Sequence, residues 1–286
     1  MSETTLEPPT PNDAAELGRI CYEAFKDISE KHGFPPDFTN VEIPQMFIGA
    51  LTASEDVYGV AAALDGNLAG SNFLSMRDEV SGVGPITVDP PAQGNGIGRK
   101  LMEDVLRHAR ESGVEQVRLV QDAFNVTSMS LYASVGFDTV TPLGLLDLQA
   151  GGSPDDSVRP LKPDDMQAVN ALCGDIYKVS RANDIAGAPQ FGIQPLVRER
   201  AGRLRGYLVP GFIGHGVTET EDDMLALLAE AARLSPAPVT QLCPLTEGSL
   251  FRKALAQGHR LRKMMNLMAY GPYEAPDGVW VPSVLY

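Results

Sequence analysis

Gln93-Gly94-Asn95-Gly96-Ile97-Gly98-Arg99-Lys100 is the stretch whose reading decides the fold. Residues 83–88 before it are apolar and read as a short strand, closed by Asp89, Pro90 and Pro91. After it, Leu101, Val105, Leu106 and Ala109 recur at helical spacing, so the loop opens a helix. Strand, glycine loop and helix N-terminus together make an anion site. The first-turn amides have no carbonyl partner inside the helix, and the macrodipole places about half a positive charge there. Glycine at 94, 96 and 98 frees the backbone and lets a phosphate approach without meeting a Cβ. Arg99 and Lys100 set two cations beside the same opening.

A dinucleotide fold requires G-x-G-x-x-G, with an acidic residue about 20 positions on. Here the glycines run G-x-G-x-G, and Glu115 and Asp122 fall in the right range only as chance would place them. A Walker loop is excluded, because no Gly-Lys-Ser/Thr follows. A tight turn feeding an ordinary helix fits the glycines alone. Gln93, three alternate glycines and two basic residues together resemble the Q/R-x-x-G-x-G/A loop of the GNAT acyltransferase superfamily. That resemblance implies a mixed α/β fold whose loop amides, over residues 93–100, hold the pyrophosphate of acetyl-CoA.

A second string resembles the same superfamily and follows in the expected order: Asn125-x-x-Ser128-x-x-Leu131-Tyr132-x-x-x-Gly136-Phe137. By the resemblance, Asn125 and Ser128 bond the cofactor arm and Tyr132 offers its hydroxyl to the departing thiolate. The residues alone also allow Tyr132 as a core aromatic and Asn125 as a helix cap. Gly84-Pro85 breaks the regularity of the preceding strand. The superfamily carries a bulge there that leaves a slot for pantetheine, so backbone groups of the Ile86-Thr87-Val88 segment are expected to pair with that arm.

At 286 residues the chain allows one large domain or two ordinary ones, and 43% apolar content suffices for packed cores. No uncharged apolar run reaches the ~18 residues of a membrane span, and the polar, proline-rich residues 1–12 do not read as a secretory leader. A cytoplasmic protein is the expectation. The three cysteines, Cys21, Cys173 and Cys243, are far apart, form no metal pattern and read as reduced core residues. Of the net charge of −14, residues 1–150 carry −13, from 9 Lys/Arg against 22 Asp/Glu. That excess argues against nucleic acid as a partner. It favours a cationic or amine acceptor by long-range attraction, or else serves solubility alone.

Taken in order, residues 13–27 read as a first helix capped by Asn12 or Asp13, and 45–51 as a short second one. Between them, His32-Gly33-Phe34-Pro35-Pro36-Asp37-Phe38 is too rich in proline to be helical. In GNAT-like proteins this connection lines the acceptor site, which makes His32, Phe34 and Phe38 substrate candidates; a loop tucked onto the core by its phenylalanines is the alternative. Residues 57–64 and 68–76 read as a hairpin about Asp65-Gly66-Asn67, 117–120 as a strand, and 128–134 as a short helix before a return strand.

Residues 149–157 (QAGGSPDDS) read as a linker, after which the chain starts again. Val158 to Asp165 resembles Leu6 to Asp13, a weak repeat of domain size. The expected architecture is therefore two tandem GNAT-like domains, 1–148 and 158–286, each a mixed sheet flanked by helices. Where the second half would need a glycine loop stand Thr218-Glu219-Thr220-Glu221-Asp222-Asp223, whose carboxylates suit a helix N-terminus and repel a pyrophosphate. The second half is expected to bind no cofactor and to wall the acceptor pocket.

The expected reaction is direct acetyl transfer from acetyl-CoA to a primary amine of a small molecule or peptide. A non-catalytic acyl-CoA sensor or a partner-binding scaffold is the alternative. Many relatives carry a Glu base before the glycine loop; Gly82 stands at that place here, leaving Asp122 and His215 as candidates for the base, with His215 also a candidate contact to the acceptor.

Overall fold

The computed structural model describes residues 3–151, 153–246 and 248–285. Gly152 of the expected linker, Tyr286 of the tail, and Met1 and Ser2 of the first expected domain lie outside the described residues. The chain forms two compact units. The first comprises Met1–Leu119 and Phe124–Asp138; the second comprises Val120–Ala123 and Thr139–Tyr286.

In chain order the first unit begins with β1 (Thr4–Glu7), α1 (Ala14–Lys31), α2 (Glu42–Thr52), β2 (Val57–Leu64) and β3 (Asn67–Ser75). It continues with β4 (Ser81–Val83), β5 (Thr87–Val88), α3 (Ile97–Glu111), the start of β6 (Val117–Asp122) and α4 (Val126–Ser134). Its strands run β1-β2-β3-β4-β6, with β5 paired to β3 alone. All neighbours are antiparallel except β4 and β6, which run parallel through Ser81↔Val117 and Gly82↔Arg118. The core beneath α1 and α2 gathers Leu17, Ile20, Cys21, Ile48, Leu51 and Phe73.

The single strand expected over 83–88 is two. β4 ends at Val83 and β5 starts at Thr87, because glycine and proline at 84–85 weaken the ladder and Pro85 has no N–H to give it. The interruption positions the site: β4 holds β6, whereas β5 leaves it for β3, so the two strands part. Gly70 of β3 permits the β5 pairing, since a Cβ there would lie 2.4 Å from the Thr87 carbonyl oxygen.

Helix α1 runs four residues beyond the expected end and is preceded by a 3-10 turn, Pro11–Asp13. The Asp13 carboxylate accepts from the Thr10 amide at 2.7 Å instead of capping α1. The second half repeats the device with a turn at Pro163–Asp165, where Asp165 accepts from the Lys162 amide at 2.8 Å. The weak repeat in the sequence thus encodes one shared local structure.

The second unit contains β7 (Asp138–Asp147, from Thr139), β8 (Val158–Pro160), α5 (Met166–Tyr177), α6 (Ala182–Gly187), β9 (Leu196–Arg200) and β10 (Arg203–Leu208). After these come β11 (Gly216–Thr218), α7 (Glu221–Leu234), β12 (Thr240–Pro244), α8 (Gly248–Ala256), β13 (Arg260–Tyr270) and β14 (Val279–Val281). One sheet runs β14-β11-β10-β9-β8; the end of β6 joins a second arrangement in the order β6-β13-β7-β12. The return strand expected after Gly136 is β7, and β13, more than a hundred residues later, lies between it and β6. Leu146, Leu208, Met224, Leu227, Leu228, Cys243 and Leu250 centre its core. All three cysteines are free and buried.

Candidate active site

The glycine loop builds its site from backbone. Gly94 and Gly96 have φ of +84° and +75°, a left-handed backbone that side chains with a Cβ adopt at a cost, and Gly96 is the N-cap of α3. Gly98 serves differently, since a Cβ there would come within 3.3 Å of Leu131 on α4. No side chain caps α3 and no acidic residue stands in its first turn. The first intrahelical bond of the helix is Lys100 N–H to the Gly96 carbonyl, so the amides before it open outward.

Two side chains brace this cradle. Gln93 donates from Nε2 to the Val88 carbonyl at 3.1 Å, fastening the loop to β5, and Asn95 donates from Nδ2 to the Ala92 carbonyl at 3.0 Å. Arg99 donates to the Ser134 hydroxyl at 2.7 Å, tying α3 to α4 while its guanidinium stays half-exposed.

A cavity of about 390 Å³ opens from the loop and lies within the first unit. It brings together Ile86, Thr87, Val88, Gln93, Gly94, Gly96, Ile97, Gly98, Arg99, Asn125, Ser128 and Tyr132. Asn95 and Lys100 stand outside its lining. Ala24, Phe25 and Ile28 of α1 form a wall that sequence reasoning did not name. Their helical spacing was the available signal: Ala24 and Phe25 fall within the expected helix, and Ile28 just past its expected end. Asn125 caps α4, accepting from the Ser128 amide at 3.1 Å, and it also lines the cavity. Tyr132 is buried and lines the cavity.

The acceptor candidates separate. Phe38 packs on the α1–α2 core, edge-on to Phe25 at 5.6 Å, so it supports the wall from behind. His32 and Phe34 instead gather around Phe124, at ring distances of 5.2 and 4.5 Å.

Neither candidate base lines the cavity. Asp122 is buried and ion-paired with Lys263 at 2.7 Å in the second unit. His215 is buried in that unit, edge-on to Tyr207, and its Nε2 has no hydrogen-bond partner. Burial holds its imidazole well below the ordinary histidine range, and the charge of Arg181 acts in the same direction. Among the described lining residues there is no Asp, Glu or His.

The Asp122–Lys263 pair carries a prediction. Asp122→Asn removes the carboxylate paired with a buried ammonium at 2.7 Å, which is expected to cost about 3 kcal/mol or more, read from the chemical-denaturation midpoint. Replacing both members with apolar residues is expected to restore most of the loss. Unchanged stability in the single variant would return Asp122 to the list of candidate bases.

Residues 20–137 match the Acetyltransferase (GNAT) family. That stretch is a GNAT acetyltransferase domain. The fold of the whole chain is similar to that of a putative acetyltransferase from Pyrococcus horikoshii, with a TM-score of 0.78 at 16% identity, covering 96% of this chain and 91% of that one. A GCN5-related N-acetyltransferase from Sphaerobacter thermophilus gives 0.65 at 17% identity, covering 96% and 97%. Among curated relatives, a mycothiol acetyltransferase from Saccharomonospora viridis is 44% identical over 55 residues, covering 19% of this chain and 18% of that protein. One from Nocardiopsis dassonvillei is 35% identical over 91 residues, covering 29% and 28%. The matched stretches thus span less than a third of either relative.

Acetyl-CoA is the donor used by GNAT domains, and the site fits it. The open α3 amides and the Cβ-free turn at Gly94 and Gly96 suit a pyrophosphate, and the gap where β5 leaves β6 suits a narrow arm.

In the second unit the start of α7 is occupied by its own side chains. At the start of α7, Thr220 Oγ1 accepts from the Asp223 amide at 3.2 Å, and Glu221 takes Lys253 at 2.8 Å and the Ser249 hydroxyl at 2.9 Å. Glu219 is held by Arg203 and by Arg205, the latter at 2.6 Å. These carboxylates are therefore largely paired within the unit. β14 pairs with β11, and beyond it the Val284 amide bonds the Phe212 carbonyl at 3.0 Å.

No helix among the described residues is long and apolar enough to cross a membrane. No group of His, Cys, Asp or Glu among them could hold a metal ion.

Proposed function

We propose that this protein transfers an acetyl group from acetyl-CoA directly to a primary amine of a small molecule or peptide, at the cavity of the first unit. The observation that carries the reading is the uncapped N-terminus of α3, which opens into a cavity also lined by Tyr132. Acetyl-CoA supplies the activated acyl group and a thiol leaving group. Loop amides 94–99 and the Arg99 guanidinium would hold the pyrophosphate, Ile86 to Val88 the narrow arm through their backbone, and Asn125 and Ser128 its far side. Tyr132 would hold a proton at its hydroxyl for the leaving sulfur. In this reading residues 1–148 form the catalytic domain, 149–157 a linker and 158–286 a second GNAT-like domain.

The test mixes the protein with acetyl-CoA and an amine panel, including the acceptor of mycothiol acetyltransferases, and follows free thiol. Tight CoA binding without release for any amine would favour a sensor.

Two further outcomes follow from this reading. With no carboxylate or imidazole in the described cavity wall, deprotonation of the amine falls to water, so the rate should follow the acceptor's own ionisation. Lowering the acceptor pKa by about two units is expected to move the rising limb of the kcat/KM profile about two units lower. A limb fixed at one pH for both amines would reveal a base in the enzyme. Calorimetry is expected to count one CoA per chain, because α7 is capped by its own residues. Two equivalent sites would refute the assignment of a closed second half.

A further inference from the structure

Helix α1 stops in a way that leaves aromatic groups beside the cavity. Gly33, at φ +73°, follows the last helical turn; its amide bonds the Glu30 carbonyl at 3.1 Å and the Phe34 amide bonds the Ser29 carbonyl at 2.9 Å. These two bonds make a Schellman motif, which folds the chain back over the helix end and fixes Phe34 there. One turn earlier Ile28 lines the cavity, and His32 Nδ1 lies 2.9 Å from the Ile28 carbonyl. On the facing segment Phe124 directly precedes the cavity residue Asn125.

Phe34 lies parallel to Phe124, 13° from coplanar, and His32 is tilted by 30°. None of the three rings is buried, and the next residue on the α4 side, Val126, is 64% exposed. A flat, partly exposed aromatic cluster therefore adjoins the cavity residues Ile28 and Asn125. Partly exposed aromatic edges and faces gain from being covered by another flat group, through area and through ring–ring geometry. Saturated bodies gain only the area. The acidic excess of residues 1–150 adds attraction for a protonated amine approaching from solution.

We propose that the acceptor is a primary amine bearing an aromatic or heteroaromatic ring, which stacks on the cluster formed by His32, Phe34 and Phe124. The proposal rests on the acetyltransferase reading of the same cavity and adds the chemical class of the substrate.

The test compares 2-phenylethylamine with 2-cyclohexylethylamine, whose amines have similar basicity. Both are titrated into the full chain saturated with CoA and assayed for thiol release with acetyl-CoA. The aromatic amine is expected to bind and to reach half-saturation at about tenfold lower concentration. Phe34→Leu, which keeps an apolar side chain but removes the flat face, is expected to bring the two amines to within about twofold of each other. The Kd for CoA and the thermal midpoint report whether the variant retains its cofactor site and fold. Equal binding of the two amines to the unaltered protein would overturn the proposal, as would a preference untouched by Phe34→Leu. Thiol release from neither amine, with the aromatic preference in binding intact and lost in Phe34→Leu, would sink acetyl transfer to such amines while supporting the stacking site.

Discussion

Gly96→Glu is expected to weaken CoA binding at least a hundredfold. Two effects combine in that substitution. Gly96 sits at φ +75°, so any residue with a Cβ is strained there by about 1–2 kcal/mol, although nothing within 4 Å obstructs the Cβ itself. The carboxylate adds a negative charge at the helix end expected to receive a pyrophosphate, where like charges a few ångströms apart cost about 1–4 kcal/mol each. Gly96→Ala separates the contributions, because it carries the strain without the charge. Both variants are expected to lose a few degrees of thermal midpoint. Alanine should weaken CoA binding only a few-fold, and glutamate far more. If glutamate proves no worse than alanine, or if neither changes the affinity, the pyrophosphate does not sit on these amides.

Tyr132→Phe is expected to reduce kcat by about 10²- to 10³-fold while CoA affinity changes less than about twofold. The ring is buried on α4 with its face tilted toward Phe137 at 6.3 Å, so phenylalanine keeps the packing and removes only the hydroxyl. A proton donor to a leaving sulfur acts in the transition state, so its loss appears in kcat and leaves ground-state binding alone. A merely structural hydroxyl would show the converse: a lower thermal midpoint with little change in turnover. Single-turnover thiol release measures the first effect, and calorimetry with CoA the second.

The site is made largely of neighbours along the chain, and for that reason much of it was legible. The loop, its flanking strand and its helix are contiguous, and each reads from local rules: glycines for positive φ, apolar spacing for α3, Asn125 for the cap of α4. Twelve of the residues expected at the cofactor line one cavity. What local rules misjudged were positions where a neighbouring element decides. Gly98 looked like a third flexible hinge, but it is an ordinary helical position whose lack of a Cβ eases the close approach of Leu131 on α4. Arg99 looked like a free cation, but Ser134 holds it. Asp122 looked available as a base until β13 brought Lys263 against it.

The amino-acid sequence by itself determined the glycine loop, the order of strand and helix around it, the repeat of the Pro-x-Asp helix start, and the acidic opening of α7. These are properties of short segments, set by backbone sterics, helix-end amides and apolar periodicity. Only the tertiary structure decided that β5 leaves β6 for β3, and that β13 enters between β6 and β7 though these follow one another in sequence. It likewise decided that the candidate base His215 lies buried, while His32 and Phe34 gather around Phe124. Strand pairing and burial depend on which distant segment supplies the missing hydrogen bonds and apolar cover, and a single strand's own residues do not specify that partner.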